Sequence, residues 1–423
     1  MTTTEMITII VFVLTMTLVI TERVHRAVAA LSGAVLLMAL GVLSIDECVS
    51  YIDVNTIGVL TGMMLFVAVV KNSGIFEFIA IWAAKKAKGE PWLIMLAFIV
   101  ITALLSAFLD NVTTVLLIGP MTLAITRILD VNPIPYIMSQ ILASNVGGTA
   151  TLIGDPPNIM IGSAANLSFV DFLTNTGIVA VLILVVYIAI FYFIYGKEMA
   201  VDKKAMEKIM ELDEKKAIKD KTLVIKSVII MLGVALGFIF HSQLGIESAV
   251  VALSAAAIML IIGKQDAEDI ILSVEWSTII FFLGLFVVVG GLEKTGVINT
   301  LANGLIGATQ GNLLFTTLII LWISAIASAF LDNIPFVATM IPLILAIEAQ
   351  GAMDVSVLWW ALSLGACLGG NGSLVGASAN VVLSGISTKN GYPITFKSFI
   401  KIGFPMMIVS IVISTVFLVV MYL

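Results

Sequence analysis

Ser106-Ala107-Phe108-Leu109-Asp110-Asn111 recurs letter for letter as Ser328-Ala329-Phe330-Leu331-Asp332-Asn333, 222 residues further on. The meaning of an aspartate in such a segment depends on its surroundings. The chain has 423 residues, 60% of them hydrophobic and 11% charged, with a mean hydropathy of +1.16. A soluble domain is about a quarter charged, so this composition excludes the soluble classes and points to an integral membrane protein. Apolar stretches such as Met6 to Ile20, Ala27 to Leu43 and Gly177 to Tyr195 approach the roughly 20 residues that cross a bilayer. The first of them is preceded by no lysine or arginine and followed by no small-residue cleavage pattern, so it reads as a first spanning helix rather than a removed signal.

Other chemistry is thin. Cys48 and Cys367 form no CxxC pair, so neither a disulfide framework nor a thiolate metal site is indicated. His25 and His241 fall in expected loops without clustered partners. No organic cofactor and no nucleic-acid partner are expected.

Residues 197–221 hold eight lysines and seven acids and read as a solvated helical linker, with Met206, Ile209, Met210 and Ala217 at spacings that fit one face. It separates two related halves, 1–196 and 222–423. At a shift of 222, Ala30-Leu31-Ser32 meets Ala252-Leu253-Ser254, Gly74 meets Gly296, Pro120 meets Pro342, and the glycine-rich segment from Gly147 meets the one from Gly369. The chain is an internal duplication, with a period too long for a solenoid.

Basic residues suggest how the halves lie. Each half is read as three spans, a re-entrant hairpin (about 91–129 and 312–347), a broken helix (about 135–166 and 355–388) and a last span. That makes five crossings, and an odd number inverts the second half. With both termini outside and the linker cytoplasmic, 20 of the 21 basic residues fall inside and Lys294 alone outside, a strong positive-inside pattern. The expected fold is therefore an all-α polytopic membrane protein of two inverted repeats.

Non-helical backbone at membrane depth is tolerated only where protein or a watery cavity satisfies it. Asp110 and Asp332 stand where the two hairpins turn. Each can cap the returning helix, and each can also serve as a proton or cation site, since an intramembrane acid is costly and suggests function. In the first broken helix Pro156 and Pro157 remove donors while Gly147, Gly148 and Gly154 permit the break. This leaves carbonyls beside Asn145, Thr149, Thr151 and Asn158 as a coordination shell for a hard cation or an oxyanion, with Asp155 as a third protonation or cation site. The second half breaks through Gly369, Gly370, Gly372 and Gly376, beside Asn371, Ser373 and Asn380. Asp155 meets Ala377 at the shift of 222, so the halves are not chemically equivalent. Paired interruptions of this kind are the best sequence pointer to a transporter's central site.

Ala107 to Pro120, Asn145 to Asn158, Ser328 to Pro342 and Gly365 to Val382 together resemble the signature segments of the arsenite permease and sodium/proton antiporter (ArsB/NhaD) branch of the ion transporter superfamily, in particular its P protein-like members. The likeness spans both halves. The superfamily also includes divalent anion:Na⁺ symporters and citrate transporters, whose hairpin tips carry Ser-Asn-Thr where this chain has Asp110-Asn111-Val112 and Asp332-Asn333-Ile334. The resemblance implies that Asn111 and Asn333 are substrate or ion ligands, while the family's serine and threonine do not carry over. Beside that carry-over, Thr113 is expected in the binding set and Na⁺ at Asp110, Asn111, Asp332 and Asn333. It implies an elevator-type homodimer in the plasma membrane, coupled to H⁺ or Na⁺, and a cytoplasmic ATPase subunit if the chain is an arsenite pump.

The expected function is secondary active transport of a small inorganic ion or small anionic or neutral solute. Arsenite or antimonite export stands first, Na⁺/H⁺ antiport second, citrate or dicarboxylate transport third and a passive anion pathway fourth. An intramembrane aspartyl protease would also place two carboxylates at membrane depth, but the duplication and the doubled asparagines would be idle in it.

Overall fold

The computed structural model describes residues 2–21, 23–196, 199 and 201–423. Among them the regular structure is helical throughout. The first half runs α1 (Thr3–Thr21), α2 (Arg26–Ala39), α3 (Ile45–Tyr51), α4 (Val54–Lys71), α5 (Ile75–Lys86), α6 (Pro91–Ser106), α7 (Asn111–Leu129), α8 (Ile134–Thr149), α9 (Pro156–Ala165) and α10 (Phe169–Phe191). After α11 (Lys203–Met210) come α12 (Lys221–Phe240), α13 (Ser248–Gly263), α14 (Ala267–Leu272), α15 (Trp276–Lys294) and α16 (Val297–Thr309). The chain ends with α17 (Leu313–Phe330), α18 (Asn333–Ala349), α19 (Ser356–Gly369), α20 (Ser378–Lys389) and α21 (Phe396–Tyr422). The starts of α4, α6, α7, α8 and α9 at residues 54, 91, 111, 134 and 156 recur at 276, 313, 333, 356 and 378. Eight helices among the described residues are long and apolar enough to cross a membrane, and α2, α6, α13 and α18 are shorter apolar helices.

Local chemistry sets these boundaries. Pro91 and Pro156 sit in the first helical turns of α6 and α9, where a missing N–H costs nothing. Ser44 with Glu47, and Ser168 with Asp171, form capping boxes at α3 and α10. Asp110 and Asp332 are the N-caps of α7 and α18.

Packing separates two bodies. In one, α4 lies along α13 and α2 along α15. Close approach there needs glycine, because a Cβ on Gly62 would meet the Ala252 carbonyl carbon at 2.5 Å and one on Gly284 would meet that of Ala30 at 2.6 Å. The repeated Ala-Leu-Ser segments are thus helix contact surfaces. In the other body α6 packs on α8 and α17 on α19, with α10 and α21 alongside.

The linker departs from the solvated helix expected of it. Lys197, Glu198 and Ala200 lie outside the described residues, the helix covers Lys203–Met210 alone, and Glu214–Ala217 forms a short 3-10 turn. Ile209 is fully buried. Lys85 Nζ bonds the Leu212 carbonyl at 2.7 Å and Glu214 Oε2 at 2.6 Å, and Lys219 N donates to Ser73 O at 3.0 Å. Buried isoleucine and these bonds fasten the charged segment onto α5 and α7, and a charge count cannot reveal that.

Candidate functional site

Four of the six positions of the repeated hexamer have a visible task. Ser106 Oγ donates to Ser144 O and Ser328 Oγ to Ala366 O, both at 2.6 Å, so each hairpin is strapped to the broken helix of its own half. The next carbonyls, of Ala107 and Ala329, accept the Thr151 and Ser373 hydroxyls. Asp110 Oδ1 accepts the Thr113 amide at 2.8 Å and Oδ2 the Thr113 hydroxyl at 2.5 Å. Asp332 Oδ1 accepts the Ile334 amide at 3.2 Å. Asn111 and Asn333 are buried; Asn111 reaches Asn145 of its own half and Asn333 reaches Asp155 of the other.

The two breaks are closed from within. Asn158 Nδ2 faces the carbonyls of Thr151, Thr149 and Gly148 at 2.9, 3.2 and 3.3 Å, and Asn380 Nδ2 those of Gly370 and Ser373 at 2.8 Å each. The carbonyls expected to remain open for an ion are therefore hydrogen-bonded to side-chain amides, which removes the cost of burying them bare. Thr149 donates to Asn145 O at 2.7 Å. The glycines allow close approach, since a Cβ on Gly154 would lie 2.5 Å from Ser106 O, and one on Gly376 2.8 Å from Ser328 O. Gly148 and Gly370 back onto Gly154 and Gly376 in the same way. Thr149, Thr151, Asn158, Ser373, Asn380 and these four glycines thus build the wall behind the site.

At the centre the halves interlock through amides. Asn111 Nδ2 donates to Asn145 Oδ1 at 3.2 Å, and Asn145 Nδ2 faces Asn371 Oδ1 at 2.9 Å and Asn380 Oδ1 at 3.0 Å. On the other side Asn333 Nδ2 donates to Asp155 Oδ2 at 3.3 Å. Asn158 Oδ1 accepts Ser363 Oγ at 2.7 Å and Cys367 Sγ at 3.4 Å. Asn145 and Cys367 correspond at the shift of 222, and each donates to the matching asparagine of the opposite half.

Asp110, Asn111, Asp155 and Asn333 line a cavity of about 30 Å³, room for one or two water-sized groups. Asp332 lines a vestibule of about 380 Å³ that joins it at Arg26 and Ser378, and Thr113 lines a second one of about 230 Å³ beside Glu275. Of the four residues expected to hold Na⁺, three reach the cavity and Asp332 stands at its entrance. Among the described residues no group of three or more His, Cys, Asp or Glu side chains converges as a metal site.

Sequence reading missed Arg26, Glu275, Thr278 and Ser378. Arg26 Nη1 lies 3.2 Å from Asp332 Oδ2 and 3.0 Å from Ser378 Oγ, and Nη2 2.9 Å from Thr278 Oγ1. The Thr278 hydroxyl in turn donates to Glu275 Oε2 at 3.1 Å. The positive-inside pattern uses Arg26 only as a charge on one side, yet it is the counter-ion of Asp332. For Glu275 a signal existed, because its match at the shift of 222 is Asp53, an acid at the start of the equivalent helix. Cys367 sits beside the buried Asp155.

Comparison with known proteins agrees with a membrane transporter. Residues 16–365 match the sequence model of the citrate transporter family, CitMHS. The "46 kDa membrane protein" of Mycobacterium leprae is 41% identical over 426 residues, which are 99% of each chain. The "Uncharacterized transporter Rv2684" of Mycobacterium tuberculosis is 41% identical over 98% of each. The human P protein is 32% identical over 95% of this chain and 58% of its own length. Among solved structures, the Alcanivorax borkumensis YdaH transporter superposes with a TM-score of 0.61 at 14% identity, over 93% of this chain and 96% of that one, which concerns the fold alone. Relatives matched over their full length and a family model covering most of the sequence lead to one conclusion: this multi-pass membrane transporter belongs to the citrate transporter family.

Proposed function

We propose that the protein exchanges protons for a small inorganic solute by alternating access, with arsenite or antimonite as the first candidate and Na⁺ as the second. One observation carries this reading: Asp110, Asp155 and Glu275 line a cavity with room for one or two waters, Asp332 stands at its mouth, and among the described residues Arg26 is the one cation on its wall. Carboxylates in such excess attract a cation or proton and repel a polyanion, while the amides of Asn111 and Asn333 offer donors and acceptors to a hydroxylated neutral solute such as arsenous acid.

Alternating access is supported by contacts that break the repeat. Arg26, at the start of α2, meets the second hairpin tip, whereas its match Ser248 bonds Asn55 at 3.2 Å. Glu275 lines the cavity, whereas its match Asp53 accepts Ser163 Oγ of α9 at 2.9 Å. Related halves with unequal contacts fit a hairpin body displaced toward the face that carries Arg26 and Glu275, which the basic residues assign to the cytoplasm. In this proposal the halves are inverted in the membrane, the α2–α4–α13–α15 body is the fixed scaffold of a plasma-membrane homodimer, and the hairpins with α8–α9 and α19–α20 slide as an elevator. An ATPase subunit would join only for a pump.

Citrate carriage is the second reading, favoured by the family to which the chain belongs. The test is a substrate panel in protein-only liposomes under imposed pH and Na⁺ gradients. Arsenite or Na⁺ flux that collapses with the pH gradient is expected; flux of citrate alone would overturn the proposal in favour of the second reading.

A further inference from the structure

Arg26 is held from two sides. From the scaffold, Thr278 Oγ1 accepts its Nη2, and the Phe281 ring lies beneath the guanidinium with 5.4 Å from Cζ to the centroid. Both residues belong to α15. From the hairpin body come Asp332 and Ser378, on Nη1. The pair is partly buried, with side-chain exposures of 27% for Arg26 and 19% for Asp332. The pairs Lys85–Glu214 and Lys294–Glu47 join other surfaces, so this ion pair spans the boundary between the two bodies.

Building on the transport reading above, we propose that Arg26 is a tethered cation that takes the place of the coupling ion at Asp332 in the unloaded carrier, and so holds the empty hairpin body in this state. A guanidinium stays charged at any physiological pH. It therefore satisfies Asp332 whenever no transported cation or proton does, and it cannot leave with the cargo. The clasp is one-sided. At the shift of 222 Arg26 becomes Ser248 and Ser378 becomes Pro156, so the opposite state has no equivalent cation for Asp110. Linkage makes the effect reciprocal: if an ion at Asp332 weakens the clasp, the clasp weakens that ion's affinity by the same factor. The coupling ion is then expelled on the face where Arg26 waits, and the empty carrier does not return alone. The titratable groups facing Arg26 are Asp332 at the start of α18, Glu275 at the start of α15, Asp110 and Asp155 across the cavity, and His25 on the vestibule wall.

The experiment uses the full chain in nanodiscs with spin labels at Val35→Cys on α2 and Ile326→Cys on α17, both exposed apolar positions. Pulsed dipolar spectroscopy then reads the distance between the two bodies in a sodium-free buffer at alkaline pH, and again with Na⁺ or at acid pH. Wild type should show one dominant distance without Na⁺ or added protons and a second distance when either is supplied. Arg26→Gln should raise the second population about fivefold without any ion. Asp332→Asn should do the same, the double substitution should add nothing, and Arg26→Lys should stay near wild type. In liposomes Arg26→Gln should also admit proton leak without a counter-solute. If wild type interconverts and carries solute while Arg26→Gln matches it, or if the two single effects add, the clasp is overturned alone. If wild type stays at one distance under every condition and carries no solute of the panel, the transport reading fails and takes the clasp with it.

Discussion

The aspartate in each copy of the hexamer works as a cap, yet it stands open to a cavity or its vestibule. Capping requires only an oxygen acceptor at the right place, which asparagine supplies nearly as well. Asp110→Asn therefore separates the two tasks: the Thr113 amide keeps its partner while the ionisable group disappears. We expect the purified variant to melt close to wild type and to lose proton-coupled flux by about tenfold or more, since removing one charge-assisted partner is worth at least about 1.4 kcal/mol. Unchanged flux with unchanged pH dependence would reduce Asp110 to a cap. The neighbouring asparagine was legible as a ligand position, and Asn111 does reach the cavity. Asn158 and Asn380 looked equivalent to it in sequence, but their amides bind the carbonyls of the breaks. Residue type cannot distinguish an amide facing a cavity from one facing a carbonyl.

Among the elements, the broken helices depend on closeness rather than on free carbonyls. Gly154→Ala drives a methyl against the carbonyls of Ser106 and Gly148, at 2.5 and 2.7 Å. Overpacking of rigid backbone predicts a loss of about 3 kcal/mol. Gly385→Ala, inside α20, has nothing within 4 Å and should raise stability by up to about 1 kcal/mol, because alanine is the better helix former, so denaturation of the two variants side by side checks the assignment. The short helix α3 gives a pH test outside the spans. The Lys294 ammonium, at 2.5 Å, and the capping bonds to Ser44 hold the Glu47 carboxyl down to about 2 from its ordinary 4.5. A carboxyl lowered on folding stabilises above its unfolded value and stops doing so as pH falls toward the folded one. Hydrogen exchange at α3, corrected for intrinsic rates, should stay flat from about pH 8 to 5 and rise progressively as pH falls from about 4.5 toward 2. A rise already near neutrality would contradict the pair.

At the scale of the whole molecule, the proposed inversion of the halves makes a plain prediction about sides. Cysteine labelling at Glu211 and Lys389 should respond together to an impermeant reagent from one face, and labelling at Lys294 from the other. All three on one face would break the inverted arrangement and with it the symmetry argument for alternating access. Membrane insertion adds a second check, since Arg26 must remain reachable by water from the side of Lys389 if the vestibule opens there.

Sequence by itself determined the membrane class, the repeated segments and the places where helices start at Pro91, Asn111, Pro156 and Asn333, because each follows from short-range facts. Apolar runs of bilayer length, prolines and glycines at breaks, and acids at caps act within one or two turns of helix, and a repeat can be read from residue identities. Tertiary structure alone decided what those residues face. The pairing of Arg26 with Asp332 crosses 306 positions and the bond from Asn145 to Asn380 crosses 235. Both depend on how two halves of nearly equal composition interleave and on where one body lies against the other. A displacement of one helical turn would give the same side chains other partners, and the amino-acid order does not record that displacement.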